Sequence, residues 1–439
     1  MTFNYDVAII GGGPIGSTLA YRIAKEGYDV CILEKKRKIG IPLQCAGIVS
    51  KKLRNFNEIP EELILNKAKG AFLHSANHIL TVEKDEPEAF IIDRVAYDQF
   101  LSKRAIDVGV KLFNQYKAHY IDCEKGIIKC QNNEEISARV IVGADGSESF
   151  VSNLFNKDFN YFNASQYLVE TNSNEIDTVI NKNNSTNENN SINNSNENID
   201  LKDQIGFVDV FAISELLPGF LWCIPTSKNS YRIGLFSNNS YKDQKKILNN
   251  FLNKDNHRFK NCKIIEKYNG KIPIFDKDKK LTHGRVILIG DAASQLKPTT
   301  GGGLIIGFDT CDIAKNTIIK FLNSKNINRD NISDNNNYNL VNEVNEVTNF
   351  DILKEYEKNF KKRYSKELSY QIKVQQTLES LSDDDLDYMF VKLKEKNAEE
   401  IISTYGDMDK QSILVKEFIK RGIIFSLTKI FFRKLTKIW

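Results

Sequence analysis

The sequence predicts an α/β (α+β) fold: a Rossmann-like dinucleotide-binding domain, an inserted β-sheet domain and a helical C-terminal region. Three observations carry this expectation. The first forty residues read strand, glycine turn, helix, strand. Weaker strand-and-helix patterns return at 90–110, 139–146 and 284–323. Between 161 and 275, β-like runs dominate instead.

Taken in order, "YDVAII" is apolar and β-branched, as a buried strand requires. "GGGPIG" is the turn. "STLAYRIAKEG" has helical spacing and stops at Gly27, a natural C-cap. "DVCILE" is the second strand, parallel to the first because a crossover helix joins them. "FIIDRVAYDQFLSKRAIDVGV" reads as strand then helix, and "RVIVGADG" as a buried strand ending in a turn. "GRVILIGDAAS" is another such strand, followed by a glycine-rich turn and a helix to about Asn323. "SQYLVE", "GFVDVFAI", "GFLWCIP" and "SYRIGLF" form the inserted sheet.

These patterns assign 1–160 and 270–325 to the first domain and 161–269 to a substrate-binding sheet domain. An Asn-rich insertion, 172–204, interrupts the sheet, and an Asn-rich linker covers 326–350. Residues 172–198 hold twelve Asn and 323–349 hold eleven, too little apolar surface to offset chain entropy, so both tracts are expected to be disordered. Residues 351–439 form a helical region with a basic, amphipathic tail.

The net charge of +4 gives no support to nucleic-acid binding. The basic character is local: Lys416–Trp439 holds seven Lys/Arg against one Glu. Seven cysteines, an odd number without a CxxC pair, argue against a disulfide framework or zinc site and for a reducing, cytoplasmic setting. The N-terminus runs into a strand without the features of a signal peptide. No apolar run reaches the ~18 residues of a membrane span. His74 and His78 are four apart on loop and strand rather than helix, so no metal is expected.

Two motifs carry chemistry. Gly11, Gly13 and Gly16 form GxGxxG between strand and helix, and Glu34 ends the next strand. Gly11 allows the tight turn, Gly13 the approach of a pyrophosphate, and Gly16 close packing of helix on strand. The helix N-terminus offers free N–H groups to the phosphates, and Glu34 suits a ribose. In "GDAASQLKPTTGGGL", Asp291 ends a buried strand, and Gly301, Gly302 and Gly303 open a helix at Leu304. A carboxylate there can accept hydrogen bonds from a ribityl chain, and the glycines let a flat ring approach. The helix N-terminus would stabilise negative charge on a reduced flavin. The second motif therefore selects FAD over NAD.

Phe220, Trp222 and Ile224 alternate in "LPGFLWCIPTS" and share one strand face, with Leu221 and Cys223 on the other. A flat aromatic–aliphatic wall suits a long hydrocarbon.

The GxGxxG turn with Glu34, "DR" at Asp93–Arg94, "GADG" at 143–146 and "GDAA…P…TGGG" together resemble FAD-dependent oxidoreductases of the p-hydroxybenzoate hydroxylase-like fold. "GIPLQCAG" (40–47) and "PGFLWCIP" (218–225) resemble the geranylgeranyl reductase family, most of all its archaeal digeranylgeranylglycerophospholipid reductases. The resemblance covers about 1–310, and 350–410 more loosely. It implies FAD contacts from Gly11, Gly13, Ile15, Gly16, Glu34, Cys45, Ala46, Gly47, Arg94, Ala118, Asp291, Gly302, Gly303 and Leu304. Arg94 can reach pyrophosphate or ribose, or pair at the surface with Asp93 or Asp98. Ala118 can offer only its backbone. Cys45 either donates a proton or packs the pocket. Phe220 and Ile224 stand where the family has Tyr and Phe, so a phenolic proton donor is lost while the wall is kept.

The implied activity is reduction of geranylgeranyl double bonds in archaeal ether lipids by hydride and proton, with Cys45, Trp222 and Phe220 as the catalytic set. An aromatic face can stabilise the developing carbocation. The alternatives are a flavin monooxygenase of the same fold or a membrane-associated electron-transfer flavoprotein. The expected partners are an isoprenoid ether lipid, a reduced donor (ferredoxin, a deazaflavin or NADPH) and the membrane surface. The last would be met by the basic C-terminal segment, placing the protein peripherally on the inner face of the cell membrane. That segment could equally pack on the protein with its lysines exposed.

Overall fold

The computed structural model describes residues 3–157, 160–171, 205–253, 258–330 and 350–426. The Asn-rich tract 172–204, residues 331–349 of the linker and residues 427–439 of the tail lie outside the described residues.

The first sheet is built on the glycine-turn unit. Its order is Thr282–His283, Val286–Leu288, Glu135–Gly143, Tyr5–Ile10, Val30–Glu34 and Lys111–Asn114. The last five strands run parallel, as crossover helices demand. Val7, Ala8 and Ile9 at its centre are fully buried. The helices Pro14–Ala24 and Leu304–Asp330 pack together on it. Ile15 fits against Gly290 and Gly307, where a Cβ would come within 3.2 Å and 2.4 Å of its side chain.

A second, seven-stranded sheet carries the wall. Its order is Lys263–Pro273, Tyr161–Glu170, Ser230–Ser237, Leu221–Ser227, Phe207–Phe211, Gly70–His74 and Ile79–Glu83. Residues 70–83, expected from the sequence in the first domain, instead complete this sheet with their two strands. The join is a parallel pairing of Phe207–Phe211 with Gly70–His74, which no local pattern announces. A small sheet, Ile48–Ser50, Ala89–Ile92 and Ile64–Ala68, sits beneath the wall. The helices Asp351–Glu379, Asp383–Glu395, Ala398–Tyr405 and Gln411–Lys420 follow.

Candidate active site

The glycine turn is shaped as its residue types require. Gly11 has φ +106°, and a Cβ there would lie 2.3 Å from the Ala144 carbonyl oxygen. A Cβ on Gly16 would lie 2.1 Å from the Gly11 carbonyl oxygen. Gly13, by contrast, faces open space, with nothing within 4 Å of such a Cβ. It is also the N-cap of the first helix and makes no side-chain cap, so the helix N-terminus opens toward a cavity. Glu34 accepts from the Gly12 N–H (2.8 Å) and the Lys36 N–H (2.9 Å), fixing its carboxylate at the turn. Ala118 begins the strand Ala118–Asp122 and lines the same cavity beside Tyr116.

Asp291 sits in a tight turn, Gly290–Ala293, and faces the open cavity. Enclosure by the walls raises its carboxyl pKa, and the Arg94 charge opposes the rise. Gly301 has φ +68°, and its N–H donates to the Lys297 carbonyl (2.8 Å), which closes the loop before the Leu304 helix. Gly302, Gly303 and Leu304 all line the cavity.

Arg94 is not at the surface. Its guanidinium is buried and donates to Asp98 Oδ1 from Nε (3.2 Å) and Nη2 (3.0 Å), while Asp93 caps the helix. Burial disfavours the guanidinium charge, but Asp98 and Cys45 favour it, and the balance raises its pKa. The surface ion pair allowed by the sequence is therefore corrected to a buried one, and both partners line the cavity.

The Cys45 loop is clamped from the wall sheet. Gln166 donates to the Cys45 carbonyl (3.4 Å), and Arg232 donates to the carbonyls of Ala46 (2.9 Å) and Ile92 (3.1 Å). A Cβ on Gly47, at φ +76°, would fall 1.9 Å from the Arg232 guanidinium. The Gly47 N–H donates to Cys45 Sγ at 3.4 Å. Among the described residues, Cys45 is the one cysteine that lines the cavity.

The period-two expectation holds in three dimensions. Phe220, Trp222 and Ile224 face the cavity with Phe236, whereas Leu221 and Cys223 enter the core on the other side. Phe220 meets Phe236 edge-on at 4.9 Å and Trp222 at 6.1 Å. The Trp222 indole N–H donates to Gln166 Oε1 (3.0 Å), so a single amide joins the wall to the Cys45 loop. A Cβ on Gly234 would meet the indole at 2.5 Å, so only glycine leaves it room.

Gln166, Arg232 and Gly234 escaped the sequence reading. Inward alternation along "SQYLVE" and "SYRIGLF" would have marked the first two as buried polar residues needing partners. Also missed were Lys297 and Asp409. Lys297 Nζ reaches Asp409 Oδ1 (2.9 Å), each side chain only 9% exposed, and the Met408 carbonyl (2.7 Å), tying the C-terminal helices to the glycine turn. No group of His, Cys, Asp and Glu among the described residues could hold a metal.

One cavity of about 1450 Å³ joins all these parts. It runs from Glu34 and Ala118 past Asp291 to the wall, then on to Leu381, Leu393 and Phe418 of the C-terminal helices. Ligand pockets typically span roughly 300–1,000 Å³, so this one has room for a dinucleotide and a second, apolar molecule.

Known proteins resemble this chain in sequence or in fold. A family model described as lycopene cyclase protein matches residues 6–357. An uncharacterized protein of Methanocaldococcus jannaschii is 28% identical, with 95% of each chain covered. The digeranylgeranylglycerophospholipid reductase of Methanosarcina acetivorans is 25% identical, with 89% of each chain covered. Among solved structures, a geranylgeranyl bacteriochlorophyll reductase-like protein of Thermoplasma acidophilum superposes with TM-score 0.72 at 20% identity, covering 97% of this chain and 98% of that one. A variant of halogenase PltM in complex with FAD gives TM-score 0.63 at 16% identity, covering 97% and 85%. The chain belongs to the lycopene cyclase protein family, and its fold and sequence are similar to those of geranylgeranyl reductase-like proteins.

Proposed function

We propose that this protein is an FAD-dependent reductase that saturates carbon–carbon double bonds of geranylgeranyl chains in archaeal-type ether phospholipids. The observation that carries the proposal is the single cavity in which the dinucleotide turn, Asp291 and the Phe220–Trp222–Ile224 wall all open onto the same space. FAD fits these residues on three counts. Gly13 leaves open space before a free helix N-terminus, Glu34 is fixed at the end of the next strand, and Asp291 lines the cavity. When bound, the flavin would supply a hydride.

The chain's own residues do the rest. Ile224, Phe220 and Phe236 hold an extended hydrocarbon and exclude water. The aromatic faces of Trp222 and Phe220 stabilise positive charge building on carbon. With no phenol at position 220, the thiol of Cys45 holds the proton at Sγ, within a loop fixed by Gln166 and Arg232. The lipid is met at the membrane: Ile413 and Ile419 are 40% and 49% exposed on Gln411–Lys420, close in sequence to Lys416, Lys420 and Arg421. No helix among the described residues is long and apolar enough to cross a membrane.

Two variants separate cofactor from substrate. Asp291→Asn should release FAD on gel filtration, while Trp222→Ala should keep the yellow cofactor and lose at least about tenfold in alkene reduction. FAD retained by Asp291→Asn, or full turnover by Trp222→Ala, counts against the assignment.

A further inference from the structure

The loop before the Leu304–Asp330 helix carries a lysine whose charge the proposed reaction leaves unused. Lys297 is fixed to the glycine turn through both of its main-chain groups. Its N–H donates to the Gly302 carbonyl (3.1 Å), and its carbonyl accepts from the Gly301 N–H (2.8 Å). The side chain folds back over the same turn. A Cβ on Gly302 would lie 2.7 Å from Lys297 Cε and 3.2 Å from Nζ, nearer than any atom of Asp409. The ammonium meets Asp409 Oδ1 (2.9 Å) and the Met408 carbonyl (2.7 Å).

As a prop for the fold, this pair is a costly choice. Each side chain is only 9% exposed, and Asp409 Oδ2 is buried without a hydrogen-bond partner among the described residues. Two apolar residues of similar volume would tie the C-terminal helices to the turn without that cost. Packing alone therefore does not account for the pair, and both residues line the cavity. Asp291 brings a carboxylate oxygen to 3.1 Å from a Cβ on Gly303, so the turn already faces a carboxylate.

A flavin that accepts two electrons and one proton carries one negative charge until its hydride leaves. In an enclosed cavity walled by Phe220, Trp222, Ile224 and Phe236, desolvation disfavours that charge, and the Asp291 carboxylate opposes it further. We infer that Lys297 is the cation that supports this charge at the Gly301–Gly303 turn. Asp409 is its positioning residue, aiming the ammonium and offsetting part of its field. The offset has a use, because a reduced ring held too firmly is a poorer hydride donor. No electron or proton passes through the pair; it acts by charge alone. The inference rests on the flavin reading of the site.

The test is an anaerobic redox titration of the FAD-loaded protein against reference dyes, followed by flavin absorbance. Lys297→Met should weaken binding of reduced relative to oxidised FAD at least about tenfold, which lowers the two-electron midpoint potential by about 30 mV. Asp409→Asn, which keeps a neutral acceptor for the ammonium, should shift the midpoint the opposite way. Lys297→Met/Asp409→Leu removes the stranded carboxylate together with the lysine. Its fold is thereby relieved, yet its midpoint should still lie below that of the parent. Three outcomes overturn the inference: Lys297→Met titrating at the parent midpoint, the two single variants shifting in the same direction as a merely loosened turn would, or the double variant returning to the parent midpoint. A failure of the flavin reading looks different, since the parent protein then holds no yellow cofactor to titrate.

Discussion

At the scale of single residues, the wall depends on side chains that do no chemistry. Trp222 was legible because period-two alternation alone sets it beside Phe220 and Ile224. Its support was not legible, because Gln166 lies 56 positions away and acts through side-chain contacts. Gln166→Leu leaves the indole N–H and the Cys45 carbonyl without that partner. Turnover should fall about tenfold with FAD content unchanged, and Gln166→Glu, which keeps the acceptor for the indole, should recover part of it. Lost hydrogen bonds to buried groups cost about 1–3 kcal/mol each, which sets that scale. Loss of FAD with Gln166→Leu would show that the amide supports the fold rather than the geometry of the site.

Lys279 offers a pH test at the same scale. Burial lowers its amine pKa to about 8, and it donates to Ser294 (3.2 Å) behind the Asp291 turn. The unfolded chain holds this proton up to the ordinary lysine range, so between about pH 8 and that range the unfolded state binds more protons. Stability from this group therefore rises as pH rises through 8. Lys279→Met should flatten that part of the stability–pH curve in urea titrations; an unchanged slope would assign the pH dependence to other groups.

At the scale of elements, the parallel strands, the glycine turns and the wall strand were all readable, because each is a local pattern with a local cause. The strands at 70–83 were misassigned because a parallel pairing across some 137 positions leaves no mark on either segment. The C-terminal helices were legible as helices, but not as a wall of the cavity. Lys297 and Asp409 hold them there, and Asp409 Oδ2 is buried with no partner. Lys297→Met should cost about 3–5 kcal/mol, since it strands a buried carboxylate. Adding Asp409→Leu should return most of that loss. Chemical denaturation of the two variants checks this; equal stability of the single and double variants would mean that the pair is solvated.

At the scale of the molecule, one cavity lies between two sheets and a set of helices, and the proposed function rests on that continuity. The cofactor end could be read from two motifs, since backbone approach leaves glycines in the sequence. The proposed substrate end could be read only in part, because a hydrocarbon would be recognised by shape and area rather than by particular residues. The most direct measurement is anaerobic. The purified, FAD-loaded protein is reduced with dithionite, mixed with digeranylgeranyl ether phospholipid and followed by mass spectrometry. Products heavier by about two mass units per saturated bond are expected, with at least about tenfold less product in Trp222→Ala. Lipid of unchanged mass, or hydroxylated lipid formed only when O₂ is admitted, would contradict it.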